Sequence, residues 1–171
     1  DLKYRMYEHE KLAHYANAAF DIEYEFPIGY KELEGIHSRT DYDLSAHQKF
    51  AGRKIQYFDP EINESYVPYV VETSIGLDRT FLAVISNSYN EEKLDDGSER
   101  VVMNIPPFLA PIKAAVLPLV KKDGLPEKAR EIMDTLKYDY MCHYEEKDAI
   151  GRRYRRQDAI GTPYCITVDH Q

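Results

Sequence analysis

Between Lys113 and Asp169 the chain changes character from one short segment to the next, and that rhythm limits its fold more than any single motif does. KAAVLPLV is short and apolar, LPEKAREIMDTLKYD is long and amphipathic, YMCHYE is short again, GRRYRRQDAIG is a basic helical stretch, and PYCITVD is a β-rich run. Strand, helix, strand, helix, strand is the order that lays helices onto a sheet, so this third of the chain predicts a small α/β domain built on a mixed sheet. Leu125-Pro126 puts proline where a first helical turn tolerates it, because the N–H it lacks would be unpaired there anyway.

The preceding segment has a different grammar. HEKLAHYANAAF, His9 to Phe20, reads as a short helix, and DIEYEFP alternates apolar and acidic residues as a half-buried strand does. YKELEGI follows as a second strand after a turn at Gly29, and two extended segments this close predict an antiparallel pair. DLSAHQKFAG, Asp43 to Gly52, has a helix-start aspartate and a glycine after its last turn. SYVPYVVET is β-rich, with Pro68 confining it to an edge or a strand start. From Leu77 to about Tyr89, apolar residues at Leu77, Phe81, Leu82 and Ile85 keep a helical period. NEEKLDDGSER, Asn90 to Arg100, reads as a polar, mobile loop. RVVMNI then returns as a strand, and PPFLAP stiffens the chain into an extended connector. The domain boundary falls near Pro106, dividing residues 1–105 from 106–171.

A chain of 171 residues suits one large domain or two small ones, and 43% apolar with 30% charged residues is ordinary for a globular protein. No apolar run approaches the roughly 18 residues of a membrane span, and DLKYRMYEHEK lacks the apolar core of a signal peptide, so a cytoplasmic protein away from membranes is the expectation. Cys142 and Cys165 have no metal-ligand spacing and read as buried free thiols. The net charge of −8 argues against a nucleic-acid binder only until it is divided along the chain. From Pro106 onward eleven Lys/Arg face ten Asp/Glu, which leaves eleven against twenty before it. The two parts are expected to do different work.

Few motifs suggest chemistry. HEKLAH is not a zinc-protease HExxH, because its histidines stand five apart and do not share a helix face in the required way. His37, His47 and His143 have no partners at metal spacing, and amphipathic packing accounts for the fifteen tyrosines. RRYRR differs in kind. Arg152, Arg153, Arg155 and Arg156 around Tyr154 would make a phosphate-contacting patch with an aromatic for stacking on a base, the competing reading being a solvated helix face. VVETSIGLDRT, Val70 to Thr80, sets a glutamate, a serine, a glycine and an arginine in the seam between a strand and a helix. Gly76 would let a ligand approach the backbone, the helix start offers unpaired N–H groups to an anion, and Arg79 adds a fixed positive fork. Such a corner suits a nucleotide, with Asp78 complementing the helix dipole. By itself it is a generic loop.

Four long stretches in order give it company: ELEGIHSRTDYDLSAHQKFAG, YVPYVVETSIGLDRTFLAVI, RVVMNIPPFLAPIKAAVLPLV and GRRYRRQDAIGTPYCITVD. Together they resemble, over nearly the whole chain, the dimeric bacterial and eukaryotic type of glycyl-tRNA synthetase, a class II enzyme. The resemblance implies an α/β (α+β) chain in which residues 1–105 are the later part of an antiparallel-sheet catalytic domain, including its third signature, and residues 106–171 an anticodon-binding domain. It implies ATP-dependent activation of glycine, transfer to tRNA(Gly), Mg²⁺ beside the phosphates, and a homodimer. By that resemblance Glu72 matches the glutamate that holds the glycine ammonium and Ser74 the serine beside it, with Thr73, Ile75 and Gly76 completing that wall. A pocket for glycine has no side chain to grip, so it must select by charge at the ammonium and by lack of room at the α-carbon. Arg79 resembles the signature arginine on ATP, above Gly76, Leu77 and Asp78. Glu32 and Leu33 match the ELEG strand laid against ATP, where Glu32 could also hold Mg²⁺. Arg39 matches an arginine directed at the glycine or adenylate end; for Glu32 and Arg39 an ion pair within the sheet is the competing reading. Arg152 to Arg156 would meet the anticodon arm.

The sequence also departs from the family pattern. Thr73 stands where proline is frequent, which should slightly loosen a turn there. The first two class II signatures and the final strand and helix of the anticodon-binding domain have no counterpart here. The expectation is therefore an internal portion of a longer enzyme, inactive in isolation. A synthetase-like chain without catalysis, serving as a nucleic-acid-binding accessory protein, is the alternative.

Overall fold

The computed structural model describes residues 3–170. Two compact units divide the chain, Asp1–Ala83 and Val84–Gln171.

In the first unit, β1 (Tyr4–Glu8), β2 (Ala18–Phe26), β3 (Gly29–Ser38) and a later strand, Val71–Ile75, form one sheet. Between β3 and that strand the chain makes α1 (Tyr42–Ala51) and a small hairpin, β4 (Tyr57–Asp59) with β5 (Glu64–Tyr66); Val71–Ile75 is therefore β6. The sheet order is β1-β2-β3-β6, antiparallel throughout, with β6 on an edge. Alternation in β2 explains its two faces: Phe20, Ile22, Tyr24 and Phe26 turn one way, Asp21, Glu23 and Glu25 the other. Against the apolar face α2 (Leu77–Ser88) sets Ala83, which packs with Tyr24, Phe26 and Leu33. Helix α1 follows Asp41 at its N-cap and stops at Gly52, whose left-handed φ of 62° suits a residue without a Cβ.

One expectation fails in this unit. His9 to Phe20 is a connection running into β2, because the alternation of β2 begins at Ala18, and Asn17 N–H, bonded to Ser38 O, already starts the ladder. Strand β1, exposed along its whole length, carries no signal in the sequence, because its five residues bury nothing and have no one-sided pattern.

The second unit opens with a hairpin where the sequence suggested a mobile loop. Strands β7 (Tyr89–Lys93) and β8 (Glu99–Met103) pair across a turn in which Gly97 takes φ 80° and Asp96 Oδ1 accepts from both Ser98 N–H (2.9 Å) and Ser98 Oγ (2.6 Å). Arg100 fastens the hairpin, reaching Glu92 at 2.7 Å and Asp158 at 3.0 Å. Polar composition hid a strand whose pairing is local. PPFLAP is likewise a turn, with Leu109 and Ala110 N–H both bonded to Pro106 O, rather than an extended connector. The hairpin thus joins the compact unit that follows it, upstream of the boundary expected near Pro106.

The alternating segments fold in the expected order: β9 (Ala114–Pro118), α3 (Leu125–Leu136), β10 (Cys142–Tyr144), α4 (Ile150–Ile160) and β11 (Tyr164–Val168). The sheet runs β10-β9-β11 and, among the described residues, is parallel rather than mixed. Each helix carries the chain back to the end where the previous strand began, which makes the next strand parallel. The central strand β9 is buried at all five positions, and Val116, Leu125, Ala129 and Val168 form the core. Cys142 and Cys165 are free thiols on the two outer strands, half-buried rather than buried as expected, and partial burial pushes both above the ordinary thiol range.

Candidate functional site

One face of the first sheet is polar, and the register shows how it is assembled. Cross-strand partners share a face. Asp21 pairs with Gly35, Gly35 with Ser74, and His37 with Glu72. Glu32 should point the opposite way from Gly35, being an odd number of residues distant. A β-bulge corrects this: Ile22 opposes Glu34 but the next residue, Glu23, opposes Glu32, so Leu33 is skipped and the phase of β3 reverses. Glu32 thereby joins Asp21, His37, Glu72 and Ser74, and Leu33 turns into the apolar cluster. A Cβ on Gly35 would stand 3.7 Å from Asp21 Oδ1 and His37 Cε1 and 3.9 Å from Glu32 Oε1. The missing side chain leaves the centre of this face open.

Arg39, one residue beyond β3, lies in the same region. Its Nη1 donates to Glu72 Oε2 at 2.6 Å, while Nε and Nη2 donate to Asp43 Oδ2 and Oδ1 at 2.6 and 3.2 Å. The guanidinium also stacks 4.1 Å from the centre of the Tyr15 ring. Hydrogen bonds from Arg39 hold the Asp43 carboxyl below its usual range, and the two carboxylates raise Arg39 further above its own. Thr40, next in the chain, has a φ of 55°, a left-handed conformation uncommon for a β-branched residue. Its hydroxyl, 3.1 Å from Tyr15 O, donates to that carbonyl and so ties the Tyr15 loop to the end of β3.

At the other end of β6, Gly76 leads into α2. Arg79 in its first turn donates to Glu32 O at 2.5 Å and lies 3.5 Å from Glu32 Oε2, both side chains being about half exposed. Gly76 packs on the stem of Arg79: a Cβ there would meet Arg79 carbons at 3.6 Å. Leu77 and Asp78 are exposed beside them. Glu32, Glu72, Ser74, Arg39 and Arg79 are thus brought to one face. Thr73 and Ile75 alternate onto the opposite face and, like Leu33, offer the polar face only their backbones. Thr73 is a mid-strand residue paired with Ile36, so it does not loosen a turn. Glu32 is ion-paired with Arg79 of α2, and Arg39 with Asp43 of α1 and Glu72 of β6.

In the second unit, the four arginines of α4 divide sharply. Arg153 is 3% exposed and donates to Pro118 O (2.6 Å), Leu119 O (3.1 Å) and Glu145 O (3.3 Å), the carbonyls at the ends of β9 and β10. It is a structural clasp, so the expectation that it touches RNA is corrected. Helical spacing gives the reason, since Arg153 and the buried Gln157 are four apart and share the inward face. Arg156 is held by Glu145 at 2.5 Å and Asp148 at 3.0 Å. Tyr154 shares a hydrogen bond with Thr167 at 2.6 Å. Arg152 and Arg155 are exposed and, among the described residues, make no ion pair.

Comparison with known proteins bears on both units. Residues 113–171 match the family described as an anticodon binding domain. Over 168 residues, 98% of this chain, the sequence is 55% identical to the glycine–tRNA ligase of Chlorobaculum tepidum, of which it covers 36%. The glycine–tRNA ligases of Treponema denticola and Borrelia hermsii are 51% and 49% identical over 99% of the chain, which covers 39% of each. Over nearly its whole length the chain is similar to a portion of these glycine–tRNA ligases.

It spans less than two-fifths of the length of these ligases, and the match runs through both the polar face and the anticodon binding domain. Relative to the expectation drawn from the ligase resemblance, the fold adds Asp21, His37, Asp43 and Tyr15 to the polar face. Asp21 could have been found from the alternation of β2. In the sequence Asp43 carries only a helix-start signal, and its position four after Arg39 adds none, because Arg39 lies outside the helix. No helix among the described residues is long and apolar enough to cross a membrane.

Proposed function

We propose that this chain is the part of a glycine–tRNA ligase that reads glycine, holds one side of ATP and meets the anticodon arm of tRNA(Gly). The observation that carries it is the assembly of Glu72, Ser74 and Glu32 around the open centre at Gly35, with Arg79 at the edge. Glu72 and Ser74 take the ammonium of glycine, and Arg79 and Glu32, with the backbone of Leu33, Gly76, Leu77 and Asp78, take ATP. The glycine carboxylate attacks the α-phosphate, pyrophosphate leaves, and the terminal ribose hydroxyl of tRNA then displaces AMP from the glycyl-adenylate. Positioning and electrostatics supply the acceleration, with no covalent enzyme intermediate.

Glu32 fits a Mg²⁺ that arrives with ATP. Its carboxylate is half exposed, and Mg²⁺ in nucleotide sites commonly uses one or two carboxylates together with phosphates and water. Among the described residues no cluster of three or more ligands forms a metal cage by itself. The ion would neutralise phosphate charge while Arg79 orients the nucleotide. A cytoplasmic homodimer completes the reading, and the portion alone is expected to be inactive.

Glycine-dependent ATP–pyrophosphate exchange on the full-length protein tests this, with alanine and serine as competitors. Exchange with glycine only is the expected result, and Glu72→Gln should abolish it while ATP still binds. Absence of exchange by the full-length protein would transfer the weight to a non-catalytic RNA-binding role.

A further inference from the structure

Glu72 presents an electrostatic difficulty if it binds an ammonium. Arg39 already donates to its Oε2 at 2.6 Å, and an isolated arginine–glutamate pair is neutral, so it would attract a second cation weakly. The geometry around Arg39 removes the difficulty. Asp43 occupies two of the guanidinium nitrogens, Nε and Nη2, leaving Nη1 for a single oxygen of Glu72. One cation shared between two carboxylates leaves the group with a net charge of −1, and Glu72 spends only Oε2 on it. The Tyr15 ring holds the guanidinium plane from the side, and Thr40 holds Tyr15 through its carbonyl.

We propose that Asp43 is a positioning residue that keeps Arg39 from closing bidentately on Glu72, so that Glu72 remains an anionic, correctly aimed receptor for the primary ammonium of the amino-acid substrate. The inference rests on the reading of Glu72 given above. Without Asp43, Nε and Nη2 become free while Nη1 stays on Glu72, and a two-point fork onto Glu72 is the preferred geometry of arginine with a carboxylate. Arg39 would then change from a brace into a competitor for the substrate's own site. Asp43 touches neither glycine nor ATP in this arrangement and acts only through Arg39.

Asp43 lies on a helix that buries none of its residues, so Asp43→Asn should leave the fold intact. In the full-length protein, glycine Kd by calorimetry and glycine KM in pyrophosphate exchange should both rise about tenfold in Asp43→Asn, the scale of one partly screened charge nearby. The KM for ATP should stay within about twofold of the unmutated value, since Arg79 and Glu32 are untouched. Asp43→Glu, which keeps the charge, should recover most of the glycine affinity. In an Arg39→Met background, Asp43→Asn should add little, because the competitor it restrains is gone.

An unchanged glycine Kd in Asp43→Asn overturns the inference, as does an equal penalty with and without Arg39. Parallel loss of glycine and ATP binding with a lowered melting temperature overturns it in favour of a purely structural role. Failure of the unmutated full-length protein to exchange with glycine is a separate result, read before any variant is made, and it overturns the ligase reading together with this one.

Discussion

Arg153 shows how burial sets the role of a residue. Four arginines in five positions look equivalent in sequence, yet this one is enclosed and caps three backbone carbonyls at the ends of two strands. A planar fork with several donors reaches three acceptors at once, which a lysine ammonium on its flexible stem does less well. Arg153→Ala should therefore cost about 3 kcal/mol or more, through buried acceptors left without donors. Urea denaturation followed by circular dichroism would measure it, and Arg153→Lys should recover only part of the loss. A change below about 0.5 kcal/mol, the usual scale for an exposed side chain, would show that the clasp contributes nothing.

At the level of elements, two junctions position everything else. The bulge opposite Ile22 and Glu23 reverses the phase of β3, putting Glu32 on the polar face and Leu33 in the core. The end of α4 depends on Gly161, whose φ of 76° lies in the left-handed region and whose Cβ, if present, would stand 2.9 Å from Met103 O and 2.8 Å from Ile105 Cδ1. Backbone does not yield as a flexible side chain would. Gly161→Ala should lower stability by about 2 kcal/mol, combining the left-handed penalty with the clash against β8. A thermal melt showing an unchanged midpoint would contradict this packing. The neighbouring His143–Gln157–Thr162 chain, with bonds of 2.9 and 2.8 Å, gives α4 a second, polar attachment to the sheet.

Across the whole molecule, charge and topology distinguish two units. An antiparallel sheet with a polar face and a parallel α/β unit with an exposed arginine pair are folded as separate compact units. If the second unit meets RNA through Arg152 and Arg155, replacing both with alanine should weaken tRNA binding and reduce its log–log salt slope by about 2. Amino-acid activation should be unaffected, because both residues are distant in sequence from the polar face and exposed. The measurements are tRNA affinity across a salt series and pyrophosphate exchange without tRNA. An unaltered salt slope would exclude these two side chains as phosphate contacts.

The order of elements in the second unit is legible along the chain, since alternating short apolar and long amphipathic segments admit few other arrangements. So are the antiparallel pair of β2 and β3, helix α1 with its glycine stop, helix α2, and the chemical types gathered at Glu32, Arg39, Glu72, Ser74 and Arg79. Those are local properties, set by period, capping and turn chemistry. Which way side chains face once a bulge shifts the phase, as at Glu32 and Leu33, is set by the tertiary structure. It alone made strands of Tyr4–Glu8 and of the charged hairpin after Tyr89, because polar segments become strands by finding partners. The fate of each arginine was decided there too. One is buried beneath carbonyls, another shared between Asp43 and Glu72, and two remain in solvent, since a guanidinium takes its role from the acceptors that the fold brings within reach.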